Sequence, residues 1–251
     1  MLAEYLRRTK QKCWKMIARE YPEEKDKRAL LSDLVGLSLK SGSVVLDAGC
    51  GRRSSIPGHN GLRVVKLGMD LIPEDLRSNS GIDFGFCADM SHIPLADESA
   101  DMVVCNMVFE HLERPGQAFA ELSRILKKGG HLVFMTPCVY NVVTAANRLV
   151  PNRFHGKLGK LLTGVNESDV FPTFYRANSV GRLRRLLGRN NLEERDLIMY
   201  QPPPFAFVFS TLACSLAIRY YRTINKYRRL EFLRGVIIMR FRKRGNHENA
   251  A

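Results

Sequence analysis

The chain has 251 residues, 45% hydrophobic and 25% charged, without a low-complexity tract or an internal repeat. That is the make-up of a globular domain with one sizeable core, and it excludes a disordered or fibrous chain. The net charge of +14 is unevenly placed: residues 1–141 hold 19 Lys+Arg against 18 Asp+Glu, and residues 142–251 hold 20 against 7. Such asymmetry predicts a field that attracts an acidic partner.

The N-terminus (MLAEYLRRTKQKCWK) is charged and no apolar run comes after it, so no secretory leader is expected. Residues 2–20 and 24–39 read as helices, the second with Leu30, Leu31, Leu34 and Leu37 at helical spacing before Ser41-Gly42. At Val44-Val45-Leu46 the pattern becomes a short, unalternating apolar run, the signature of a strand buried on both faces, and it leads into Asp47-Ala48-Gly49-Cys50-Gly51. Further short strands are predicted at 66–70, 83–88, 101–105 and 131–135. A helix from Pro115 to Lys128, with Ala118, Leu122, Ile125 and Leu126 as its apolar stripe, is expected to stop at Gly129-Gly130. Residues 138–176 lack a period and read as a long insertion. Asn178 is placed to cap a helix over 179–187, with Leu183, Leu186 and Leu187 inward and Arg182, Arg184, Arg185 and Arg189 outward. Strands at 192–199 and 236–241 bring the total to seven. The predicted fold is α/β and Rossmann-like: a mostly parallel sheet with helices on both faces and C-terminal insertions.

In such a sheet, ligands bind beyond the carboxyl ends of the strands. Asp47, Asp70, Asp89 and Asn106 stand at four successive predicted strand ends, and the set is far less expected by chance than any one of them. Singly, each reads equally well as a cap or turn residue. Gly49 and Gly51 let the chain turn sharply and lie against a ligand. Asp70 stands 19 residues after Gly51, about the distance at which Rossmann units place an acid on a ribose diol. An acid ahead of the glycines disfavours a pyrophosphate, and with it a nicotinamide dehydrogenase. It suits a ligand with a cationic end.

Val45-Leu46-Asp47-Ala48-Gly49-Cys50-Gly51 resembles motif I of the class I S-adenosylmethionine-dependent methyltransferases (type 11-like). Gly68-Met69-Asp70-Leu71, Ala88-Asp89-Met90, Ile93-Pro94-Leu95, Ser99-Ala100-Asp101, Glu110-His111-Leu112 and Lys128-Gly129-Gly130 resemble their later motifs, in order. The resemblance covers about residues 30–137. It implies N-terminal helices over 1–42, a cofactor-binding core over 43–137 and substrate-side insertions over 138–251, all in one domain. It also implies that Asp47, Gly49, Cys50 and Gly51 hold the methionine end of S-adenosylmethionine and Asp70 the ribose. Asp89 would take the adenine amino group, Leu71 and Met90 the ring faces, and Asn106 and Met107 the sulfonium region. Arg53 departs from the pattern, standing where many members have a third glycine.

His111 reads either as a catalytic base, its ordinary pKa being near ~6.5, or as a packing residue of the motif. Tyr175 reads either as an acceptor-facing residue or as a hydrophobic staple. No metal ligand set is recognisable. The six cysteines (Cys13, Cys50, Cys87, Cys105, Cys138, Cys214) show no zinc or disulfide spacing, which fits a cytoplasmic protein. The expected activity is methylation of a small-molecule, glycan or lipid-linked acceptor. The alternatives are a nucleic-acid methyltransferase, or a non-catalytic protein that binds membranes or anions. Residues 202–218 carry no charge but are short of the ~20 that a span needs. With the basic stretch 219–234 behind them, they read as a core helix or as a peripheral contact with an anionic membrane on its inner face.

Overall fold

The computed structural model describes residues 2–22, 26–56, 58, 61–149 and 171–245. Helices α1 (Leu2–Glu20) and α2 (Lys27–Gly36) precede the strands β1 (Val44–Ala48) and β2 (Val65–Asp70). Next come α3 (Pro73–Ser78), β3 (Phe84–Cys87), β4 (Ala100–Asn106), α4 (Pro115–Ile125), β5 (Leu126–Pro137) and α5 (Val142–Leu149). The described C-terminal part holds α6 (Val180–Arg189), β6 (Leu192–Tyr200), α7 (Thr211–Lys226) and β7 (Val236–Lys243).

The seven strands form one sheet in the order β3-β2-β1-β4-β5-β7-β6. The first five are mutually parallel, and β7 runs antiparallel to both β5 and β6. Alternate residues of each central strand feed opposite layers, which is why both faces must be apolar. Leu46, Val103, Cys105 and Phe134 pack on one side with Ala118, Phe119 and Leu122 of α4 and Leu183 and Leu187 of α6. Val45, Met102, Val104, Val133 and Met135 pack on the other with Leu31, Leu34 and Val35 of α2. The strand order reverses between β1 and β4, and a crevice opens there at the strands' carboxyl ends.

Three predicted boundaries move. α4 ends at Ile125, because Leu126 already pairs with Ala100; the ladder then slips, and resumes at Met102 and His131. Gly129 (φ 78°) turns the chain through that bulge. Ser179, not Asn178, occupies the N-cap position of α6. The Asn178 side chain is instead buried and donates to Thr136 Oγ1 at 2.5 Å, tying the end of β5 to the 171–178 segment. The expected insertion at 138–176 contains α5, and residues 150–170 lie outside the described residues.

The connection from β1 to β2 holds no helix among the described residues. This accounts for Arg53. A third glycine serves close packing of a helix on its strand, and here no helix packs at that point. The uncharged run over 202–218 supplies a 3₁₀ turn (Phe205–Phe207) and the first half of α7, capped by Ser210. α7 packs against α1 through Cys13, Ile17, Cys214 and Ile218. No described helix is long and apolar enough to cross a membrane.

Candidate active site

The loop after β1 is built by conformation and close approach. Gly49 and Gly51 both have positive φ (77° and 52°), and a Cβ on Gly49 would lie 2.5 Å from Val108 Cγ2. The three loop N–H groups are engaged inside the protein. Gly49 and Cys50 donate to the Met69 carbonyl (2.7 and 3.1 Å), and Gly51 donates to Asp70 Oδ2 (2.8 Å). Buried Asn79 donates to the Gly51 carbonyl (2.9 Å). The loop therefore offers a ligand backbone surface, not N–H donors.

Asp47 does not face the crevice. It is fully buried beneath the loop, where Oδ2 accepts from Ser54 Oγ (2.9 Å) and the Ser55 N–H (2.5 Å). Its Oδ1 is buried without a partner, and burial lifts the carboxyl to about 6. The sequence reading put this acid against the ligand; with no helix after the loop, the 52–56 segment folds over it. The Cys50 side chain is also buried, and burial pushes its thiol up to about 12, so only its backbone is available.

The other predicted residues converge. A cleft of about 190 Å³ is lined by Gly49, Asp70, Leu71, Asp89, Met90, Met107 and His111, with Val108 and Phe171. Asp70 ends β2, its Oδ1 accepting from the Ile72 N–H at 3.1 Å. Asp89 comes just after β3 and accepts from the Ser91 N–H (2.7 Å) and hydroxyl, which hold it below the usual carboxylate range. Half-exposed Leu71 and buried Met90 supply apolar walls. Met107 takes φ 56°, a strained left-handed conformation for a non-glycine residue, at the turn out of β4. Asn106 lines the adjoining cavities and donates to Ser55 Oγ at 3.0 Å.

His111 lies in the 3₁₀ turn Phe109–His111, its Nδ1 at 2.9 Å from the Pro172 carbonyl. A carbonyl only accepts, so Nδ1 carries the proton and the Nε2 lone pair is bare. Burial lowers the imidazole pKa, keeping it neutral. Tyr175 lines none of these cavities. It is half-buried at φ 51°, and its N–H donates to the Glu110 carbonyl at 3.1 Å.

The methyltransferase domain family matches residues 46–134, which run from β1 to β5 and supply every wall of the cleft except Phe171. Residues 46–134 thus carry a match to a methyltransferase domain. Over 132 residues the chain is 33% identical to malonyl-acyl-carrier protein O-methyltransferase of Methylovorus sp. (strain MP688), covering 46% of this chain and 44% of that protein. Over 110 residues it is 36% identical to demethylmenaquinone methyltransferase of Renibacterium salmoninarum, covering 42% and 45%. The similarity thus spans less than half the length of either relative. The fold is shared with geranyl diphosphate C-methyltransferase from Streptomyces coelicolor A3(2) (TM-score 0.54, 17% identity, 86% of this chain and 80% of that one). The cyclase SpnF shares it too (TM-score 0.53, 17% identity, 86% and 81%).

Several residues of this site had no separable signal in the sequence. Ser54 and Ser55, which hold Asp47, look like ordinary loop residues. Asn79 sits in Ser78-Asn79-Ser80-Gly81, a plain turn pattern. Glu110 was readable as part of a motif but not as a buried acid. It accepts from Thr136 Oγ1 (3.1 Å), and burial raises it to about 7. Phe171 reaches the cleft because Pro172, Phe174 and Tyr175 are tied to the 109–111 turn, a contact across about 60 positions.

Proposed function

We propose that the protein transfers the methyl group of S-adenosylmethionine to a small-molecule, glycan or lipid-linked acceptor. One observation carries this reading: Gly49, Asp70, Leu71, Asp89, Met90 and His111, read separately from the sequence, line a single cleft at the switch point of the sheet. The donor set fits the cofactor. Asp70 is placed to accept from a ribose diol and Asp89 from an adenine amino group, while Leu71 and Met90 enclose an aromatic ring between apolar walls. Buried Asp47 supplies negative potential beneath the methionine end.

The cofactor supplies an activated methyl group on a cationic sulfur. The protein's part is to fix the acceptor in line with it and to keep water out, which can provide most of the rate. Where the acceptor is a hydroxyl or another weak acid, the bare Nε2 of His111 takes its proton. A lipid-linked acceptor is supported by an apolar surface on α1 and α7. Trp14, Phe205, Phe209, Leu212 and Leu216 are exposed there beside basic residues, in the manner of a peripheral contact with an anionic membrane.

A screen of lipid, glycan and small-molecule extracts with methyl-labelled cofactor tests the reading. Label should pass to an acceptor, and Asp70→Asn should weaken cofactor binding by about 1–3 kcal/mol, the scale of a charge-assisted hydrogen bond. Preference for NAD over the cofactor, or unchanged affinity in the variant, refutes it.

A further inference from the structure

A hollow of about 520 Å³ opens beside α6, and it shares no lining residue with the cleft. Tyr140, from the turn after β5, forms one wall; Ser179, Gly181, Arg182, Arg185 and Arg189, from the start and one face of α6, form the other. Its size is that of a small-molecule site.

The charge there is one-sided. α6 carries four arginines and no acid. Arg184 is paired, forking onto Glu194 of β6 at 2.6 and 2.7 Å. Arg182, Arg185 and Arg189 recur at i, i+3 and i+7, which puts them on one face, where like charges repel. All three are exposed, none has an ion-pair or hydrogen-bond partner among the described residues, and no acid lines the hollow.

Arg182 also stands where the helix itself gains nothing from a cation. Ser179 occupies the N-cap, so Ser179-Val180-Gly181-Arg182 has the serine of a capping box with an arginine in place of its glutamate. The first turn holds no acid and the Ser179 side chain makes no cap bond. The positive end of the helix disfavours a cation at that point. Leu183 and Leu187 pack on the opposite face and hold the helix to the core without the arginines.

The row from Arg182 to Arg189 runs about 10 Å along the helix axis, which suits two or more linked phosphates better than one. Guanidinium forks match phosphate oxygens, and the Ser179 hydroxyl adds a donor. Tyr140, edge-on to Phe232 at 6.1 Å between ring centroids, supplies an aromatic wall. We infer that this hollow binds the linked phosphate groups of a soluble ligand, a diphosphate or longer, through Arg182, Arg185 and Arg189. The site stands on these residues alone and does not depend on the methyltransferase reading.

The experiment is calorimetric titration of the full chain with inorganic pyrophosphate and tripolyphosphate at physiological ionic strength. Binding is expected, weakened about tenfold or more by Arg182→Gln and by Arg185→Gln. Arg184→Gln removes the same charge from the paired position and should change binding less than threefold. Arg182→Glu restores the capping-box acid, so it should abolish anion binding without lowering the melting temperature. All four variants should keep S-adenosylhomocysteine affinity within threefold of the wild type.

The inference is overturned if neither anion binds the wild type at millimolar concentration. It is equally overturned if Arg184→Gln weakens binding as much as the other two glutamine variants, which would make the attraction a diffuse effect of net charge. A melting temperature lowered by Arg182→Glu would assign Arg182 a structural role and sink the site. Sedimentation with anionic vesicles separates a lipid head group from a soluble ligand: Arg182→Gln and Arg185→Gln should bind vesicles as the wild type does. Vesicle binding lost in these variants, with no phosphate bound by the wild type, would give the row to a membrane and overturn the inference.

Discussion

The carbonyl oxygen of Pro172 accepts the Nδ1 proton of His111 at 2.9 Å, joining the turn after β4 to the segment before α6. Because that bond fixes the tautomer, His111 presents Nε2 to the cleft as a neutral acceptor. His111→Gln should therefore lower turnover on a hydroxyl or other weakly acidic acceptor by roughly 10²-fold while leaving cofactor affinity intact. In the wild type, the rate should rise with pH through a value below ~6.5, since burial lowers this imidazole. Steady-state kinetics across pH on the acceptor found by labelling check both. A loss under about tenfold, with an unchanged profile, would assign the rate to positioning alone.

Gly49 meets two constraints at once, a φ of 77° and a Val108 methyl 2.5 Å from where a Cβ would stand. Gly49→Ala should cost about 1–3 kcal/mol in stability and weaken cofactor binding, since the loop must shift away from β4. Adding Val108→Ala relieves the contact but not the backbone conformation, so the double variant should recover only part of the loss. Thermal melting with and without S-adenosylhomocysteine measures this. Full recovery would show that sterics alone excluded a side chain.

Much of the fold was legible because burial on two faces leaves a strong mark: Val44-Val45-Leu46 and 131–135 read as strands for the same reason they are core. The strand-end residues Asp70, Asp89 and Asn106 were legible because topology alone places such positions at the crevice. Asp47 was read as a strand-end residue, yet its environment was not readable. Whether an acid points up to a ligand or down beneath a loop depends on whether a helix packs just beyond that loop, and its absence from residues 52–56 leaves no sequence signature. Asn178 shows the same limit, because the partner that takes its side chain away from the helix end, Thr136, lies 42 positions away. Leu126 had the spacing of the α4 stripe, and strand pairing with Ala100 prevailed over helical periodicity.

Glu110 and Asp47 make the protein's stability depend on pH in an uncommon direction. Burial raises Glu110 from 4.5 to about 7 and Asp47 from 3.8 to about 6. Between the ordinary and raised values, the folded state keeps protons that the unfolded chain has released, so stability falls as pH rises from about 4 to about 7. Glu121, held down to about 2 chiefly by Arg124, acts oppositely; its contribution is present above 4.5 and is lost as pH falls from there toward 2. Summed, these three contributions are greatest between about pH 3.8 and 4.5 and fall above it. Glu110→Gln keeps an acceptor for the Thr136 hydroxyl and removes the buried charge. It should flatten the decline between pH 5 and 8, with a ceiling of about 3 kcal/mol at ~1.4 kcal/mol per pKa unit. Urea unfolding at pH 5 and pH 8 tests it, and an unchanged slope in the variant would refute the assignment.

The α1–α7 surface makes a prediction about where the protein works. The Trp14 ring lies 4.8 Å from that of Phe205, so the N-terminal helix and the chain entering α7 present one apolar edge. Leu212 and Leu216, four residues apart on α7, are both more than half exposed, and Phe209 precedes them. Arg7, Lys10, Lys12 and Lys15 on α1 and Arg219, Arg228 and Arg229 at and beyond α7 are exposed near the same two helices. An apolar edge of this kind sinks into the head-group region while cations meet anionic lipid, at about 1 kcal/mol for each basic residue near the surface. Sedimentation with vesicles should show binding to anionic but not neutral bilayers, released by salt. Leu212→Asp with Leu216→Asp should abolish it through the apolar contribution. Arg228→Glu with Arg229→Glu should weaken it through the electrostatic one, leaving S-adenosylhomocysteine affinity unchanged in both. Absence of binding to either vesicle type would remove the membrane from the account and direct the acceptor search to soluble compounds.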